Sequence, residues 1–136
     1  MKDCLFCKIV KGDIPSHKVW EDKEHIAFLD INPRQKGQTL VTTKKHFDSY
    51  SFNLPDTDFT KLFLAAKKVV KIIDKALNTE RCVMITEGYG VNHVHVKLYP
   101  FPEGSYEGST STELGPRASD EDLKKIAEKI REKINN

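Results

Sequence analysis

The sequence lacks any long apolar run. No stretch approaches the ~20 apolar residues of a membrane span, and residues 1–10 carry charges where a signal peptide would be apolar. The expectation is a cytosolic protein. Cysteine is scarce: Cys4, Cys7 and Cys82 are the three present. An odd number in a reducing compartment argues against a disulfide framework. Charge of one sign is also lacking, because 22 basic residues stand against 20 acidic ones for a net charge of +2. Nothing in the bulk electrostatics points to a nucleic acid or a membrane surface as partner, so any phosphate must be held by a local site. Internal repeats and low-complexity tracts are absent. The 136 residues are 38% apolar, enough for one core and too few for two, so 1–136 reads as a single domain.

What is present reads as strands around one long helix. A short helical turn over Cys4–Lys11 is closed by Gly12. Strands are expected at Lys18–Glu21, His25–Leu29 and Thr39–Thr42, with an acidic turn at Glu21–Lys23 and breaks at Asn32, Pro33 and Gly37. Pro55, Asp56 and Asp58 open a helix whose first-turn carboxylates suit its positive end. Apolar side chains then recur at Phe59, Leu62, Phe63, Ala66, Val69, Val70, Ile73, Ala76 and Leu77, which is one helical face. Asn78 is its stop. Cys82–Thr86 and His93–Tyr99 read as two more strands, with Pro100 and Pro102 ending the sheet. Residues 103–118 are rich in Gly, Ser and Thr and carry no periodic signal. Ser119 then caps a last helix, about 119–134, with Asp122 in the capping-box position. The fold class is α+β: an antiparallel sheet of about five strands, one long helix and a C-terminal helix.

The informative strand is the one containing His93, His95 and Lys97. Side chains alternate faces along a strand. Val94, Val96 and Leu98 therefore point into the core, and His93, His95 and Lys97 point the other way, spaced by ~6.5–7 Å. Three cationic or potentially cationic groups on one face suit an anion, and a neutral imidazole is a nucleophile or a metal ligand. Read as residues alone, two such histidines are equally a polar strand surface. His17 and His25 fall in charged, exposed turns outside this scheme.

Four segments, in order, resemble the histidine-triad (HIT) family. They are the run from Cys4 to Pro15, the strand end from Phe28 to Pro33, the strand from Gly37 to Val41 with Lys44, Lys45 and His46, and the His93–Val96 pair of histidines. The resemblance spans nearly the whole chain. It implies that His95, at the middle triad position, attacks the α-phosphorus and forms a nucleotidyl-histidine that water then hydrolyses, with His93 and Lys97 beside it. It implies that Asp30 accepts hydrogen bonds from the ribose hydroxyls and that Phe6, Ile9, Ile14 and Ile31 wall the base. A carboxylate suits a diol and an apolar slot suits a purine, although Ile9 and Ile14 equally fit simple core packing. The partner implied is a purine nucleotide or nucleotide conjugate, and the assembly a homodimer.

Two positions depart from the family. Lys97 stands where the third histidine is usual. Lysine holds phosphate as a point charge and is a poor proton donor near neutrality. The connection Glu87–Asn92 is short and lacks the usual polar phosphate contacts, while Thr86 occupies a position where the family often has asparagine. Cys4 and Cys7, spaced as Cys-x-x-Cys, present two thiolates to one metal. In zinc-binding members of the family His46 and His93 complete the set, giving a structural zinc. A reduced metal-free pair and a redox dithiol are the alternatives. The expected activity is hydrolysis at the α-phosphate of purine nucleoside phosphoramidates, dinucleoside polyphosphates or related adenylated compounds. The alternative is a non-enzymatic nucleotide-binding or adaptor protein of the same fold.

Overall fold

A computed structural model describes residues 3–135. Helix α1 (Leu5–Lys11) begins at Cys4, whose Sγ accepts from the Cys7 N–H, and stops at Gly12, which takes the left-handed conformation (φ +85°). Strands β1 (Lys18–Glu21), β2 (His25–Leu29) and β3 (Thr39–Thr43) follow. At the β1–β2 turn, Asp22 Oδ1 accepts from the N–H groups of Glu24 and His25 at 2.8 and 2.6 Å. Helix α2 (Asp56–Leu77) runs from Pro55 to Asn78, the latter in the left-handed conformation (φ +52°) that asparagine tolerates at a helix end. Strands β4 (Thr79–Ile85) and β5 (His95–Pro102) and helix α3 (Asp120–Arg131) complete the chain.

The five strands form one antiparallel sheet in the order β1-β2-β3-β5-β4. One face carries Ala27, Leu29, Val41, Val96 and Leu98 and buries them against Leu62, Val69 and Ile73 of α2 and Leu123, Ala127 and Ile130 of α3. The other face carries Ile26, Phe28 and Leu40, which pack on Phe6 of α1. Register aligns Phe28, Leu40 and Lys97 in one row across the sheet, and Ile26, Thr42 and His95 in the next. The α+β architecture is therefore the expected one.

Several details differ from the sequence reading. β5 does not stop before its prolines but runs through Pro100 to Pro102. β3 begins at Thr39, opposite Leu98, so beyond Leu98 β5 is paired only with β4 and a missing N–H is tolerated on its other side. β4 starts three residues earlier than expected and ends at Ile85. Regular pairing of β5 begins at His95, two residues late. α3 closes at Arg131, where Ile134 N bonds Arg131 O in a tightened last turn. His25 is buried, with Nδ1 3.0 Å from Asp22 Oδ1, rather than exposed. Cys82 behaves as an inert thiol: burial, with Asp74 beside it, pushes its pKa up to about 12.

Candidate active site

Both faces of β5 are covered. Val94 and Val96 are buried on the helix side as expected, but His93 and His95 are buried too, at 0% and 3% exposure. Phe6 is the cover. Its ring meets the His95 and His93 rings edge-on at 5.1 and 5.9 Å. The reading of these histidines as a polar strand surface is thereby excluded. Their backbone is fixed where the strand begins. Val94 N–H donates to Phe47 O at 3.1 Å, and Thr42 Oγ1 donates to Val94 O at 2.6 Å.

The two rings have defined tautomers, because each faces a carbonyl that can only accept. His95 Nδ1 lies 2.6 Å from His93 O, so Nδ1 carries the hydrogen and Nε2 the lone pair. Burial lowers the His95 pKa below the usual imidazole range. The His93 carbonyl opposes that shift, Lys97 adds to it, and Glu87 and Asp30 oppose it. A neutral imidazole with a free Nε2 is thus the resting form, and it is a nucleophile. His93 Nε2 lies 2.7 Å from Thr43 O, so its Nδ1 holds the lone pair, and burial lowers its pKa as well.

That Nδ1 belongs to a second group. Sγ of Cys4 and Cys7 lie 3.3 and 3.5 Å from His93 Nδ1, and Cys7 Sγ lies 3.4 Å from His46 Nδ1. The four ligand atoms lie within 4.8 Å of one another. These residues could hold a metal ion. The spacing of Cys4 and Cys7 puts both sulfurs at the first turn of α1, where the backbone points them at the strand entry.

His95 and Lys97 line a cavity of about 360 Å³. Phe6, Ile9, Ile14 and Ile31 line it, as does the Asp30 carboxylate. Asp30 is oriented by two donors, Asn32 N–H to Oδ1 at 2.8 Å and Gln38 Nε2 to Oδ2 at 2.9 Å. Thr86 does not line the cavity. Its hydroxyl donates to His95 O at 3.1 Å and so ties the end of β4 to the strand that carries His95.

Leu114 and Glu87 are among the contributors absent from the sequence reading. Leu114, in a Gly/Ser/Thr-rich tract without a periodic signal, lines one wall of the cavity. The tract is clasped to the turn after β2: Gly115 N–H donates to Asn32 O at 3.0 Å, Asn32 Nδ2 to Gly115 O at 3.3 Å and Ala118 N–H to Ile31 O at 2.9 Å. Gly115 is required there, since a Cβ would collide with the Pro33 carbonyl oxygen. The second is Glu87, whose Oε2 lies 3.1 Å from Lys97 Nζ with both side chains mostly buried. No sequence spacing links residues 87 and 97; only the β4–β5 pairing does.

The HIT domain family matches residues 11–100. An uncharacterised HIT-like protein of Methanocaldococcus jannaschii is 39% identical over 127 residues, covering 90% of this chain and 98% of that protein. An adenosine 5'-monophosphoramidase of Schizosaccharomyces pombe is 35% identical over 136 residues, covering 96% and 98%. A solved structure of a hypothetical histidine triad nucleotide-binding protein from Sulfolobus tokodaii superposes with a TM-score of 0.84 at 29% identity, covering 96% and 91%. With two of the three triad positions histidine, the third lysine, and the same sheet beneath them, this chain belongs to the histidine-triad (HIT) family.

Proposed function

We propose that the protein is a nucleotide hydrolase that cleaves purine nucleoside phosphoramidates, dinucleoside polyphosphates or related adenylated compounds at the α-phosphate. The observation that carries this reading is the His95 tautomer. The His93 carbonyl fixes Nδ1–H, so the ring meets the cavity with a basic Nε2. Nε2 forms a bond to phosphorus as the bond to the leaving group breaks. The leaving group takes a proton from solvent, and the water that attacks in the second step returns one. Water then displaces His95 from the nucleotidyl-histidine and releases the nucleoside monophosphate. Asp30 receives the ribose hydroxyls, and Phe6, Ile9, Ile14 and Ile31 wall the base. Lys97 faces the phosphoryl group, the His93 carbonyl holds the ring of His95, Thr86 holds its backbone, and the S. pombe relative's activity supports the reaction class.

The test is mass spectrometry on protein mixed with adenosine 5'-phosphoramidate, read beside steady-state turnover. An added adenylyl group on the native chain, absent from His95→Ala, is the expected result. His95→Ala should lose several orders of magnitude of turnover. Undiminished turnover by that variant would remove His95 from the role. Nucleotide binding with no turnover would favour the non-enzymatic alternative.

The metal reading is a structural zinc held by Cys4, Cys7, His46 and His93. Zinc with ligands at ~2.3 Å for sulfur and ~2.0–2.1 Å for nitrogen has sulfur-to-nitrogen edges of about 3.5 Å in a tetrahedron. The three such distances above run from 3.3 to 3.5 Å. His93 also has the carbonyl partner on its far nitrogen that metal-bound imidazoles favour. The ion would supply cross-linking of α1 to the strand entry and no step of the reaction. A cytosolic setting fits the reduced cysteine pair. A homodimer is proposed across α2 and the edge strand β4, where Leu64 and Met84 are exposed; sedimentation at micromolar concentration tests it.

A further inference from the structure

We infer that Glu87, through its ion pair with Lys97, sets the charge of the phosphoryl end of the cavity and so selects substrates whose phosphate portion carries one negative charge in total over the more highly charged polyphosphates. This inference rests on the nucleotide reading above and narrows its substrate class.

Among the described residues, the charged side chains lining the cavity are Asp30 and Lys97. Lys97 is the one cation of that lining among the described residues, and it is already partnered at 3.1 Å. Glu87 stands behind it, outside the lining. Arg34 interacts electrostatically with Tyr99, two residues further along the strand, but does not line this cavity. The group of Asp30, Glu87 and Lys97 therefore sums to a charge of about −1. A polyphosphate chain needs several cations or a bound metal to offset its charge in a partly dry site. A phosphoramidate or phosphodiester needs one.

Glu87 is built into this place. Its Oε1 is buried with no hydrogen-bond partner among the described residues, an arrangement that costs stability. Gly88 follows in the left-handed conformation (φ +79°), and a Cβ there would lie 2.8 Å from Ser49 O. Gly88 O accepts from Ser49 Oγ at 2.6 Å, and Asn92 Oδ1 accepts from Ser49 N–H at 3.0 Å. The turn bearing Glu87 is thus pinned at both ends to one loop. A carboxylate so fixed holds the ammonium on a short tether and balances its charge. Glu87 is a positioning residue, not one that touches substrate.

The experiment is calorimetric binding of adenosine 5'-monomethylphosphate, AMP and ATP, without added divalent metal, so that turnover is not needed. For the native protein, affinity should fall along that series, by about 5-fold or more overall. Glu87→Gln should free Lys97 and raise ATP affinity about 10-fold relative to the methyl ester. Glu87→Gln combined with Lys97→Met should lose that gain. ATP binding more tightly than the methyl ester to the native protein would overturn the inference, as would a Glu87→Gln gain that survives in the double variant. The native series decides the matter even where a variant misfolds. Failure of all three to bind would instead strike the nucleotide reading itself, and this inference with it.

Discussion

Phe6→Ala tests how far the small cluster above His95 depends on one side chain. Phe6 is 4% exposed and packs edge-on against Phe28 at 5.5 Å and against the imidazoles of His93 and His95. Removing a buried phenyl ring costs ~3–5 kcal/mol where the neighbours cannot collapse. Here the site is small, with Ile26, Phe28 and Leu40 as its other buried members. The low end, about 3 kcal/mol, is therefore expected. That corresponds to roughly 10 °C in Tm for a chain of this size. The loss has a second outlet, however. α1 has 7 residues, too few to persist undocked. It is held by Phe6 and by the Cys4 and Cys7 cluster, so it can detach while the main core stays folded. With metal bound, the thiolates keep α1 in place and Phe6→Ala should lower Tm by the full amount. After chelation, the amides of Lys8 and Gly12, bonded to Cys4 O and Ile9 O, should exchange much faster while α2 amides hardly change. Hydrogen exchange by NMR with urea unfolding reads both. A cost under about 1 kcal/mol, with α1 exchange unchanged by chelator, would refute the idea that Phe6 and the metal cluster share the anchoring of α1.

Elemental analysis of protein purified without added metal should give close to one zinc per chain, and Cys4→Ser should lose both the metal and several degrees of Tm, since metal affinity couples to folding; full stability without zinc would remove the metal reading. Gly115→Ala should weaken AMP binding about 5-fold by forcing the Leu114 wall off the Pro33 carbonyl, with little change in Tm, and an unchanged Kd would mean that the wall is not part of the site. Asp30→Asn should weaken AMP roughly 10-fold while leaving 2',3'-dideoxy-AMP nearly unaffected, because a charge-assisted bond to the diol is what it removes; equal losses on both nucleotides would place Asp30 elsewhere.

Local signals carried much of the architecture. The 3.6-residue spacing of α2, the Ser119 cap and the β-branched run of β3 are short-range patterns, and each produced its element within a few residues. The clustering of Cys4, Cys7, His46 and His93, which could hold a metal ion, was legible for a different reason: Cys4 and Cys7 stand at a fixed spacing, and the family resemblance brought His46 and His93 to them. Glu87 and Leu114 were illegible because their meaning is made by distant chain. Glu87 matters only through the β4–β5 turn that returns it to Lys97, and Leu114 only because Gly115 allows its backbone to reach Asn32. The alternation along β5 assigned faces correctly but could not show that Phe6 covers the second face. Pro100 and Pro102 misled in the same way, since a proline's tolerance depends on whether its edge has a neighbour.

His93 joins two parts of the molecule by two kinds of atom. Its ring faces the thiols, but the group that fixes the His95 tautomer is its main-chain carbonyl. Any amino acid has that carbonyl. The Cys/His cluster and the His95 tautomer are thus adjacent in space yet separable by substitution. A descendant of this chain could discard the four cluster side chains one after another, His93 included, and keep the His95 tautomer, provided the strand entry stayed hydrogen-bonded to Phe47 and Thr42. The tautomer would then be inherited through the backbone, whereas any metal binding would be inherited through side chains alone.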